Sequence, residues 1–159
     1  MSDTKTQAPG AQLVLRDDAL RAALARALID AGLSLCDKSP DLLVLDAGAT
    51  DKSALAAAIL APEALEAITH FAANGAGAQR AVVLVAGAGG PAREAFLGSV
   101  RALARALAPG LRVNGLAPLH AGEAMDVEQA GAACAYLACA VAVTGQIVEI
   151  AARKSVSAA

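Results

Sequence analysis

Two runs of this chain, Leu42–Leu45 and Ala81–Val85, are apolar at every position. Successive side chains of a strand point to opposite faces, so a strand apolar throughout must be covered on both. That is the condition of a parallel strand inside a sheet flanked by helices. The surrounding sequence supplies such helices. Asp17–Ala31 carries Leu20, Leu24, Leu28 and Ala31 on one face, and Gly32 is its stop. Lys52–Asn74 is helical with an interruption at Pro62, and Pro91–Ala108 opens on a proline and ends at Pro109-Gly110. A helix is also expected over Val127–Cys139. Gln12–Leu15, Leu33–Cys36, Leu111–Leu116 and Gln146–Ile150 complete the strands. The alternation predicts a reduced, doubly wound α/β domain with a parallel sheet of five or six strands. It spans 11–151, with a short lead over 1–10 and a tail over 152–159.

With 57% hydrophobic residues but only 2% aromatic, the core must be filled by alanine, leucine and valine. Helices and strands can then approach closely. The net charge of −2 comes without a Lys/Arg stripe, which argues against a nucleic-acid partner. The longest apolar run, Ala130–Val143, falls short of the ~18 residues of a membrane span. The first ten residues lack the apolar stretch of a signal peptide and read as a short lead-in. Cys134 and Cys139 have no histidine or carboxylate at ligand spacing. Buried free thiols and no metal site are expected, and with the free thiols a cytoplasmic protein.

The second half carries a recognisable pattern. Arg101-Ala-Leu-Ala-Arg-Ala-Leu-Ala-Pro109 is followed by Leu111-Arg-Val-Asn114-Gly-Leu-Ala-Pro118. Asp126-Val-Glu-Gln-Ala130, Tyr136-Leu137 and Val143-Thr-Gly-Gln-Ile-Val-Glu-Ile150 come after it in order. Over roughly residues 80 to 150 this resembles the short-chain dehydrogenases. Leu42-Leu-Val-Leu-Asp-Ala-Gly48 resembles the family's strand ending in two asparagines, here Leu45 and Asp46.

The positions that perform the family's chemistry are different. Through Arg26-Ala-Leu-Ile-Asp-Ala-Gly32, the three glycines of the family's cofactor turn fall on Leu15, Ala19 and Arg21. Such glycines let the backbone approach a pyrophosphate at a helix N-terminus. Asp17 and Asp18 lie in the turn instead. A phosphate about 4 Å from such a charge meets a repulsion on the order of 4 kcal/mol at an effective dielectric of ~20. The family's tyrosine, its general acid/base, falls on Gly89, and the lysine four residues later on Arg93. Its serine falls near Ala86 or Gly87. The segment after Pro118 that covers the family's substrate shrinks to about Leu119–Met125.

The resemblance therefore implies a chain with no catalytic residue and no cofactor of its own. It implies a supporting subunit in a hetero-oligomer, with a heterotetramer as one arrangement, beside an intact short-chain dehydrogenase. That partner would bring NAD(P), the Tyr/Lys pair and a pocket for a hydroxyacyl-CoA of aromatic degradation, such as hydroxybenzyl-succinyl-CoA. Expected contact residues are the small stripe Gly98, Ala102 and Ala106, and Val143, Ile147 and Ile150 at an apolar sheet edge. Two alternatives remain open from the residues alone. One is an enzyme of another class using His120, Glu123 or the turn Gly87–Gly90; the other is a CoA- or nucleotide-binding module. The Gly-rich Ala86–Pro91 lacks the lysine of a P-loop and reads as a turn.

Overall fold

A computed structural model describes residues 8–38, 40–47, 62–75, 80–86, 93–120 and 123–153. The expected calls at Gly87–Pro91, and the helical stretch before Pro62, lie outside these residues. Six parallel strands form one sheet in the order β2-β1-β3-β4-β5-β6. They are β1 (Gly10–Val14), β2 (Ser34–Leu35), β3 (Leu42–Asp46), β4 (Ala81–Val85), β5 (Arg112–Pro118) and β6 (Ile147–Ile150). Four helices cover it: α1 (Asp18–Asp30), α2 (Pro62–Ala73), α3 (Arg93–Leu107) and α4 (Val127–Cys139). The expected doubly wound α/β architecture is what the chain adopts.

The sheet divides two cores. On one face, Leu24 and Leu28 of α1 and Cys134 and Leu137 of α4 pack with Val44 and Val83. On the other, Ile68 and Phe71 of α2 and Phe96 and Val100 of α3 pack with Leu43 and Val82. The fully apolar β3 and β4 thus meet helices on both sides, which is why neither run alternates. Small residues permit the approach. A Cβ on Gly131 of α4 would stand 3.0 Å from Ala27 Cβ and 3.1 Å from the Ala23 carbonyl oxygen of α1.

Several boundaries differ from expectation. β1 begins at Gly10, inside the stretch expected as a lead, because Gly10 N–H donates to the Asp41 carboxylate at 2.9 Å. Asp41 N–H returns a bond to the Gly10 carbonyl at 2.7 Å. Ala31 is exposed rather than part of the buried stripe, because it caps α1. Gly32 ends the helix at φ 89°, as its position suggested. Cys134 is buried, but Cys139 is exposed. Five residues on a helix turn a side chain about 140° away, so the two cannot share one face.

The end of the sheet at β5 and β6 is held by buried polar groups. Arg112, 5% exposed, donates to the carbonyls of Leu137, Ala138 and Ala140 at 3.0, 3.0 and 2.8 Å. A cation placed there answers the unpaired carbonyls at the C-terminal end of α4. Burial lowers its pKa from the ordinary arginine value, with Cys139 acting in the opposite sense. A guanidinium nonetheless stays charged. Asn114, fully buried, donates to the Val143 carbonyl at 3.0 Å and accepts from Gln146 N–H at 3.1 Å. Val113 N–H donates to the Thr144 hydroxyl at 3.1 Å.

Candidate functional site

From β1 the chain crosses by α1 to β2 on one side, while β3 lies on the other side of β1. Ligands of open α/β sheets bind where the winding reverses in this way, outside the carboxyl ends of the strands. Here that place is bounded by Leu15–Asp18, after β1, and by Asp46–Ala47, at the end of β3.

The side chains of this crevice bind one another. Asp17, in extended conformation, caps α1: its carboxylate accepts from Leu20 N–H at 2.9 Å. Asp46 reaches across from β3 and accepts from Arg16 N–H at 2.8 Å. Arg21 pairs with Asp18 and donates from Nη1 to the Leu15 carbonyl at 3.3 Å. Leu15, at the first expected glycine position, is 5% exposed and belongs to the core beneath α1. Ala19 and Arg21, at the other two, are exposed on α1. A pyrophosphate needs bare amides and room for close backbone approach. These residues offer a leucine side chain, two engaged N–H groups and three carboxylates, and they do not fit it.

The remaining predicted positions do not converge on this crevice. Gly89 lies outside the described residues, and Arg93 is the first residue of α3. Gly98, Ala102 and Ala106 are exposed along α3, whose Phe96, Val100 and Ala104 face the sheet. Val143 and Ile147 are half-buried, and β6 is an edge strand. Ile150 corrects the expectation of an uncovered edge: at 4% exposure it already lies in the core beneath α1 and α4. His70 is exposed and bonds Asn74 at 2.8 Å, while His120 and Glu123 are exposed after β5. No group of three potential metal ligands occurs among the described residues. No helix among them is long and apolar enough to cross a membrane.

One residue escaped the sequence reading. A groove of about 390 Å³ runs between α1 and the β2 edge, with Leu13, Ala25 and Leu35 along it and Asp18, Arg21 and Asp37 among its polar groups. Asp37 follows β2, about twenty residues beyond the β1 turn. Dinucleotide folds carry a ribose-binding acid at that place. The available signal was a carboxylate directly after a short strand.

The fold has solved counterparts. The chain superposes on a short-chain dehydrogenase/reductase from Serratia marcescens BCRC 10948 with a TM-score of 0.65 and 18% identity, covering 91% of this chain and 96% of that one. For BdcA (YjgI) from E. coli the values are 0.66, 17%, 91% and 98%. For the 3-alpha-hydroxysteroid dehydrogenase from Pseudomonas sp. B-0831, solved with NADH, they are 0.63, 16%, 89% and 94%. No curated protein matches the sequence. The model of the family described as "Short chain dehydrogenase-like protein" matches residues 42–150, from β3 through β6. The chain belongs to this short chain dehydrogenase-like (SDR-like) family.

Proposed function

We propose that this chain is a non-catalytic subunit that supports an intact NAD(P)-dependent short-chain dehydrogenase in a cytoplasmic hetero-oligomer. The observation that carries the reading is the crevice, where Leu15 fills the glycine position and Asp17 and Asp46 engage the amides beside it. The described residues around it keep six parallel strands and four helices, so the departures fall where the resemblance puts the family's chemistry. The exposed Gly98, Ala102 and Ala106 of α3, the β6 edge at Ile147 and the half-buried Val143 in the segment before it are the surfaces offered to the partner. Small side chains on a helix permit close approach of a second helix. In this reading the partner holds the cofactor and the Tyr/Lys pair. Among two-subunit dehydrogenases it most resembles the hydroxybenzyl-succinyl-CoA dehydrogenase of anaerobic toluene degradation, a likeness that rests on the shortened chain and its missing chemical positions.

Co-expression with a candidate intact short-chain dehydrogenase, followed by gel filtration, tests the proposal. The two chains should elute together. Ala102→Leu should leave this chain folded and weaken the complex, since an overpacked contact costs typically about 1–3 kcal/mol. Separate elution of the two unaltered chains defeats the reading.

The groove beside Asp37 favours a second one, a nucleotide- or CoA-binding module. Calorimetric titration of the isolated chain with NADH and with CoA separates them. The subunit reading expects no saturable heat, and a sub-millimolar isotherm would replace it with the second.

A further inference from the structure

We propose that α2 and α3 form a self-complementary face on which a second copy of this chain sits about a two-fold axis. The two helices cover the same side of the sheet. Each returns to the start of a parallel strand, so they run side by side in the same direction. Ala64, Ile68 and Phe71 of α2, like Phe96, Val100 and Ala104 of α3, are turned to the sheet. The outer sides carry opposite charge. Glu63 and Glu66 are exposed on α2, and Arg101 and Arg105 on α3. Among the described residues none of these four has an ion pair.

Their positions along the helices decide which contact they favour. α2 and α3 end before β4 and β5, whose first residues, Ala81 and Arg112, are in register. Counted from those ends, Glu63 and Glu66 stand about 15 and 10 Å up α2 at the usual rise per residue. Arg101 and Arg105 stand about 9 and 3 Å up α3. A two-fold axis normal to the sheet, between the helices and about 9–10 Å up, lays α2 of one copy antiparallel on α3 of the other. It inverts the heights, so Glu63 meets Arg105 and Glu66 meets Arg101, each within ~2 Å along the helix. The symmetry makes each pair twice. An axis parallel to the helices keeps the heights and joins only Glu66 with Arg101. Laying α3 on α3 about Ala102 gathers the arginines of both copies around the axis, and like charges oppose that contact. Exposed ion pairs add little affinity, but they select the partner and its register. The contact needs no dehydrogenase; in the subunit reading, a dehydrogenase seated on α3 displaces the second copy.

Sedimentation velocity of the full chain alone tests it. The unaltered chain should dimerise at micromolar concentration and low ionic strength, and less tightly as salt is raised. Glu63→Lys with Glu66→Lys should weaken the dimer roughly tenfold or more, and so should Arg101→Glu with Arg105→Glu. Mixed together, the two double variants should pair again, roughly tenfold or more tighter than either alone, because each now meets opposite charge on both helices of the other. Asp30→Lys, a reversal on the exposed side of α1, should leave the dimer unchanged. A monomeric unaltered chain, an undiminished dimer in either double variant, a mixture no tighter than its parts, or an equal loss in Asp30→Lys each overturns the proposal. If a double variant does not fold, Glu66→Lys and Arg101→Glu take their places in the same mixing. No dehydrogenase is present in these measurements, so their failure is distinct from failure of the subunit reading.

Discussion

The β1–α1 turn and the corner formed by β5, α4 and β6 are both joined by side chains reaching main-chain groups, but with opposite exposure. At the corner, Arg112 and Asn114 are buried, and each makes at least two bonds to segments more than twenty residues away. At the turn, Asp17 and Asp18 are exposed, and their bonds are local. Buried polar groups are costly when one partner is lost, whereas exposed ones fall back on water. The corner is therefore structural framework, and its sequence is the part in which the family is recognisable. The exposed carboxylates of the turn carry less of the fold's stability than the corner's buried groups and are freer to change. The resemblance expects glycine at three of its positions, and the chain has Leu15, Ala19 and Arg21 there.

Unfolding measurements can break this contrast. The largest effect is expected for Arg112→Ala, which strips three carbonyls at the end of α4 of their donor. Urea titration should show a loss of about 3–5 kcal/mol.

The next effect is a pH dependence on the inner face of α4. Burial pushes the Cys134 thiol up to about 12 from 9.0. The folded state then holds this proton more tightly than the unfolded chain does. Stability from this site is complete below pH 9 and lost as the pH rises toward 12. By pH 10 the loss should be on the order of 1 kcal/mol. The difference between the unaltered chain and Cys134→Ala, followed from pH 7 to 10, isolates it. A slope that persists in Cys134→Ala would place the titration elsewhere.

Asp17→Ala should have the smallest effect, about 1 kcal/mol, the usual cost of an N-cap. If calorimetric melting shows a loss as large as that of Arg112→Ala, the turn is framework too and the contrast is void.

Much of this division could be read from the sequence because it depends on local pattern. Ala81–Val85 and Val127–Cys139 begin and end as their apolar runs and flanking residues indicate. Leu42–Leu45 lacks only Asp46. What escaped was set by pairing between distant segments. β1 extends back to Gly10 because Asp41 binds it, and β5 runs on to Pro118 because Ile150 of β6 lies beside it. The role of Arg112 lies in a contact with carbonyls 25 to 28 residues away, and no spacing rule reports that. Leu15, Ala19 and Arg21 were legible as departures from glycine. The bond from Arg16 to Asp46, which shows how the turn closes without glycine, was not.

The meeting of Gly131 with Ala23 and Ala27 has a consequence for the chain as it is made. The leucine stripe of α1 leaves the ribosome about a hundred residues before the helix that covers it. At the usual ~5–20 residues per second of synthesis, that stripe waits roughly 5–20 s for α4. During that interval the nascent chain presents Leu24 and Leu28 to whatever is near, a chaperone or another emerging chain. The order in which these helices are translated thus makes the early moments of synthesis the time when this protein is most open to association.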